Sequence, residues 1–165
     1  MTTEGTEAPA TPPAAPAPVV AGFHHTGFVV RDLAAMTAFY RDVLGLQVQL
    51  DVELTGAPAA QLTGYPGAHV RVVFLGTPGE QHVVELVLYL QPAGGAAHPA
   101  RNAQSAGHLC FRVDDVDATH RALAARGVRF VNPPVHWELA GVGPVAACYG
   151  QDPEGNALEF LKFGA

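Results

Sequence analysis

The stretch His25-Thr26-Gly27-Phe28-Val29-Val30-Arg31-Asp32-Leu33 occurs twice in this chain, the second time as His108-Leu109-Cys110-Phe111-Arg112-Val113-Asp114-Asp115-Val116. Laid over each other, His25 falls on His108, Phe28 on Phe111, Val30 on Val113, Asp32 on Asp115 and Leu33 on Val116. A helical run and a glycine follow each copy, Gly45 twenty residues after the first histidine and Gly127 nineteen after the second. Each half then returns to a strand with one acid among apolar residues, at Glu85 in the first and Glu159 in the second. Self-similarity in fixed order marks a duplicated supersecondary unit.

The local patterns give each copy the order β-α-β-β-β. Residues 23–30 and 107–113 are rich in β-branched and aromatic side chains and read as strands. Asp32 and Asp115 stand where a helix N-cap belongs, before apolar residues at helical spacing that end at Gly45 and Gly127. Strands follow at 46–52, near 69–75 and 82–90 in the first half, and near 128–131, 144–150 and 157–163 in the second. The Gly-, Pro- and Ala-rich residues 55–68 read as a loop, and Asp152-Pro153-Glu154-Gly155-Asn156 as a turn. The chain thus divides into an Ala/Pro-rich tail expected to be disordered or extended (1–21), a first module (22–91), a linker (92–105) and a second module (106–165), an α+β architecture.

Composition narrows the partners. With 165 residues, 48% hydrophobic and 15% charged, the chain can bury a core. A net charge of −6, with Lys162 the sole lysine, offers no basic stripe for nucleic acid or anionic membrane surfaces. No apolar run is long enough to span a bilayer, and no secretory signal is recognisable. Cys110 and Cys148 lie inside strands, and the expectation is reduced, buried thiols in a cytoplasmic protein.

Strand alternation brings out the candidate site. His25, Gly27 and Val29 share one face of their strand, while Phe28 and Val30 point the other way to the helix. Leu86 and Leu88 lie opposite Glu85, and Leu158 and Phe160 opposite Glu159. The four polar groups therefore fall on faces the helix-side core does not need, and on cupped sheets they would converge on one site. Buried carboxylates require a cation, and Lys162 lies on the wrong face of its strand for Glu159. Two imidazoles and two carboxylates suit a divalent transition ion such as Fe, Mn, Co, Ni or Zn, acting as a Lewis acid on a developing enolate or oxyanion. Tyr89 shares the face of Glu85, Trp137 lies on a segment able to cover the pocket mouth, and both are candidate substrate contacts. His24 is expected on the face opposite His25, and His69, His82 and His136 at strand or loop edges. Cys110 shares the face of His108.

The strings His25-Thr-Gly-Phe-Val-Val-Arg-Asp-Leu with Phe39-Tyr40 and Leu44-Gly45, Gly107-His108-Leu-Cys-Phe-Arg-Val-Asp-Asp-Val, and Asp152-Pro-Glu-Gly-Asn-Ala-Leu-Glu159-Phe resemble the vicinal oxygen chelate superfamily. That group includes glyoxalase I, methylmalonyl-CoA epimerase, extradiol dioxygenases, and fosfomycin-resistance and bleomycin-binding proteins. The resemblance spans residues 23–163 and implies two βαβββ modules forming a cupped, barrel-like mixed sheet with helices outside. It implies a divalent metal held by His25, Glu85, His108 and Glu159, and a homodimer. Glu85 or Glu159 would leave the ion to act as general base, in a lyase or isomerase moving a proton next to a carbonyl of a small oxygenated substrate. The arginine that glyoxalase I carries four residues after its first ligand is here Val29. An Fe(II) dioxygenase using His25, His108 and Glu159, and a small-molecule-binding or resistance protein without turnover, are the alternatives.

Overall fold

The computed structural model describes residues 19–95 and 99–164, and most of the tail read at 1–21 lies outside them. The fold is the α+β architecture expected, with two mixed sheets that are cupped and not closed into a barrel. The first contains β1 (His25–Val29), β2 (Gln47–Leu54), β3 (His69–Gly76) and β4 (Val83–Gln91), ordered β1-β4-β3-β2. The second contains β5 (His108–Arg112), β6 (Arg129–Phe130), β7 (Val135–Leu139), β8 (Gly143–Gln151) and β9 (Ala157–Phe163). Its order is β5-β9-β8-β6, with β7 also paired to β8. In each module the first and last strands run parallel and the other pairs are antiparallel.

Helix α1 (Leu33–Ala38) starts where Asp32 accepts the Ala35 amide at 2.9 Å, and α3 (Val116–Ala125) where Asp115 accepts the Ala118 amide at 2.8 Å. The end of α1 widens into a π-helical turn over Phe39–Val43, closed by a Leu44 N–H to Phe39 carbonyl bond of 3.2 Å. Gly45 and Gly127, at φ +82° and +88°, take the left-handed conformation that ends each run.

Two expectations change. Residues 56–63 form helix α2 (Gly56–Thr63) rather than a loop. Alanines favour helix, Pro58 sits in the first turn where its missing N–H costs nothing, and Gly64 at φ +75° caps the end. The helix buries only Ala59, so it carries no apolar period to read. Strand β7 is also additional, an extension paired to β8 from Val135↔Ala147 to Leu139↔Gly143.

One apolar cluster joins the modules. Val30, Leu33, Met36, Tyr40 and Leu86 from the first pack with Leu109, Val116, Leu123, Leu158 and Phe160 from the second. At about 1.5–3 kcal/mol for each large side chain fully buried, this joint dominates the contacts between modules. Polar locks fix it. The Tyr40 hydroxyl, wholly buried, donates to Asp152 at 3.1 Å. Asp152, 1% exposed, also accepts from the amides of Glu154 and Asn156 and from the Asn156 side chain. Glu154 in turn accepts the amides of Arg31 and Asp32 at 2.8–3.0 Å, and Arg126 donates to the Val43 carbonyl at 2.7 Å. Burial raises the Tyr40 phenol far above its ordinary value, with the Asp152 charge adding to it, so the hydroxyl stays a donor.

Asp152→Ala strands the buried Tyr40 hydroxyl and three further donors. It is expected to cost about 3 kcal/mol or more, against about 1 kcal/mol for Tyr40→Phe, which removes one of four donors. Urea unfolding of both variants checks this; equal midpoints would remove the lock from the account.

Candidate functional site

The site residues are placed by parallel strand register. Gly27 pairs with Glu85 across β1 and β4, and Cys110 pairs with Glu159 across β5 and β9. Each histidine lies two residues before the partner of its glutamate, on the same face, and this diagonal brings the side chains together. His25 Nε2 lies 3.3 Å from Glu85 Oε2, and His108 Nε2 lies 3.1 Å from Glu159 Oε2. The imidazoles are half-exposed, at 39% and 46%, while the carboxylates are mostly covered, at 19% and 15%. The nearest polar partner of each mostly covered glutamate is thus its own module's histidine.

Among the described residues, the four groups do not gather within one chain, and no three His, Cys, Asp or Glu side chains lie closely enough to hold one ion. The reason lies in the joint described above, where the modules meet through their helix-side faces. Two half-sites result, each offering one imidazole nitrogen and one carboxylate oxygen.

The half-sites share a skeleton and differ in lining. Phe74 pairs with Glu85 on β3, and Tyr149 holds the matching position beside Glu159 on β8. His25 meets the Phe74 ring edge-on at 5.6 Å, and His108 meets Tyr149 at 5.4 Å. Around Glu159, burial first, then the carboxylate's charge and a hydrogen bond toward it, push the Cys110 thiol up to about 12. The same causes raise the Tyr149 phenol. Both groups therefore stay protonated donors beside Glu159. Cys148 is buried as expected, but Cys110 is exposed, because it sits on the open side of edge strand β5.

Gly27 makes room for the first pair. A Cβ there would stand 2.8 Å from Glu85 Oε2, closer than real contacts allow. The absent side chain leaves the space into which the carboxylate turns. The chemistry of the donors, one nitrogen and one carboxylate oxygen, fits half of a transition-metal ligand set at each pair.

Other candidates fall elsewhere. Tyr89 and Trp137 lie on the dyad faces by register, but each sits off its dyad. Tyr89 is four residues along β4 from Glu85, and Val145, the partner of Trp137, is four along β8 from Tyr149. That separation is about 13 Å at strand rise. Tyr89 meets Tyr65 at 6.0 Å, and Trp137 is 41% exposed. His69 binds Glu53 at 3.1 Å, His136 binds Asp117 at 3.0 Å and His82 meets the Thr26 hydroxyl at 2.8 Å, all away from the pairs. His24 is not on the opposite face. Its Nδ1 lies 2.9 Å from His25 Nδ1 and its ring meets Phe74 at 6.0 Å, because it precedes β1 and escapes strand alternation.

The model of the glyoxalase/bleomycin resistance protein/dioxygenase superfamily matches residues 22–160, and the chain belongs to that superfamily. It is similar to the uncharacterized protein YwbC of Bacillus subtilis (strain 168), 24% identical over 142 residues that cover 84% of this chain and 94% of that one. In structure it is similar to a glyoxalase family protein from Bacillus cereus, with a TM-score of 0.77, 23% identity, and 88% and 96% of the two chains covered. The trypanothione-dependent glyoxalase I of Leishmania major gives a TM-score of 0.59 at 21% identity, covering 87% of each chain. At these identities the structural likeness establishes the fold. No helix among the described residues is long and apolar enough to cross a membrane.

Gly27→Ala is expected to turn the Glu85 carboxylate away from His25 while leaving the second pair and the fold intact. A crystal structure of the variant should show the His25–Glu85 distance opened beyond ion-pair range. An unchanged distance would mean that Gly27 does not set the carboxylate's position.

Proposed function

We propose that this protein is a divalent-metal-dependent enzyme acting on a small oxygenated substrate by proton transfer next to a carbonyl. The observation that carries the reading is the pair of matched His–Glu dyads, His25 with Glu85 and His108 with Glu159, at 3.3 and 3.1 Å on equivalent strands. Together they make the two-nitrogen, two-carboxylate set that suits Fe, Ni, Co, Mn or Zn. The ion, when bound, supplies Lewis acidity toward neighbouring oxygens of the substrate.

The protein's own groups do the rest. His25 and His108 supply neutral nitrogen ligands, and Glu85 or Glu159 accepts the substrate proton on its Oε2 and returns it to the neighbouring carbon. Tyr89 and Trp137, along the strands from the dyads, bound the pocket and exclude water.

The site is proposed to close across a homodimer. The helix-side faces are taken up in the intramolecular core, so the dyad faces remain for a second copy. These faces expose Val29 at 63%, Leu50 at 47% and Phe163 at 58%, apolar surface that an interface between copies would cover. One copy would bring His25 and Glu85, the other His108 and Glu159, and twofold symmetry would make two such centres.

Protein purified without a metal-affinity tag is expected to hold about one transition ion per chain. Glu85→Gln, Glu159→Gln, His25→Ala and His108→Ala should each weaken retention without unfolding the chain. Mixing the two histidine variants, with partial unfolding and refolding to exchange copies, should restore about a quarter of the parent's metal, since random pairing leaves one intact centre in half of the dimers. No recovery on mixing would place the site within one chain. Metal retained equally by all four variants, or no metal taken up by the parent on reconstitution, would overturn the reading.

A further inference from the structure

Resting on the function proposed above, we propose that the substrate carries a carboxylate, and that Arg101 binds it beside the second dyad. The two half-sites differ at each matched position. Beside Glu85 stand Gly27 and Phe74, and beside Glu159 stand Cys110 and Tyr149. The first half is therefore walled by apolar atoms, while the second adds a thiol and a hydroxyl. To these the linker adds a cation. The Arg101 guanidinium carbon lies 5.6 Å from the Tyr149 ring centre, and Tyr149 in turn lies 5.4 Å from the His108 ring.

A cleft of about 520 Å³ runs between Arg101, Ser105, His108, Gln151 and Asn156, a volume suited to a small metabolite. Arg31, Arg41, Arg71 and Arg112 each have a carboxylate within 4.0 Å; among the described residues Arg101, Arg121, Arg126 and Arg129 have none, and of these four only Arg101 lines this cleft. Stacking on an aromatic face leaves the edge of a guanidinium free, and that edge matches a carboxylate with two parallel hydrogen bonds. Glu159 stands beside His108, and Arg101, which lines the same cleft as His108, supplies a positive charge for an anion bound there. The ligand is thus oriented, with its acid end at Arg101 and its remainder in a cleft that Gly27 and Phe28 also line.

The test titrates 2-hydroxybutanoate and its methyl ester, a matched pair with neighbouring oxygens that differs in charge, into the full-length protein by calorimetry. The acid is expected to bind at least about tenfold tighter than the ester, with the difference shrinking as salt rises. Arg101→Ala should abolish that preference, and Arg101→Lys should keep part of it, since a point charge remains without the planar fork. Both variants should melt like the parent and hold the same amount of metal. Equal affinity for acid and ester in the parent, including binding of neither, would overturn the inference, as would a preference that survives Arg101→Ala. If the preference follows Arg101 in a protein that takes up no metal, the metal-enzyme reading fails and the anion site stands. If metal is held and the preference is absent, the reverse holds.

Discussion

The chemistry available to this protein depends on the parallel register of the first strand of each module against the last. Pairing Gly27 with Glu85 and Cys110 with Glu159 sets each histidine one diagonal step from its carboxylate. A slip of one residue would carry the glutamates to the helix side of the sheet, into the apolar cluster with Leu86 and Leu158. An ionised carboxylate unpaired there would be strongly destabilising. Register is thus held twice, by the apolar residues that must face the helices and by the acids that must not.

A second constraint decides what the dyads are for. The core through which the modules meet, locked by the buried Tyr40–Asp152 bond and the Glu154 contacts to Arg31 and Asp32, consumes the helix-side faces. Each dyad is left on an open face beside exposed apolar side chains. A half-exposed imidazole nitrogen facing a mostly covered carboxylate oxygen is half of a ligand set. The divergence of the two halves, Phe74 against Tyr149 and Gly27 against Cys110, gives the composite site a polar and an apolar end from one duplicated frame.

Much of this was legible in the sequence because the signals were periodic. The Asp32 and Asp115 caps, the strand at 157–163 and the faces of His25, Glu85, His108 and Glu159 follow from alternation and turn chemistry, and the structure has them so. Helix α2 was not legible, since it buries a single alanine and so shows no 3.6-residue period. Strand β7 was hidden behind Pro133 and Pro134 and is exposed throughout, so it lacks an inside–outside pattern. His24 escaped because alternation holds only within a strand. The separation of the dyads was illegible for a different reason. Tyr40 reads as one apolar helix position and Asp152 as a turn residue, and nothing in local pattern says that they meet across 112 positions.

The most direct test of the central claim, that the two dyads are halves of one metal centre, is X-ray absorption at the metal edge of zinc-loaded protein. The account predicts a first shell of nitrogen and oxygen at about 2.0–2.2 Å with outer-shell scattering from two imidazoles. A shell fitted by one imidazole, or by none, would show that the dyads act separately and would contradict it.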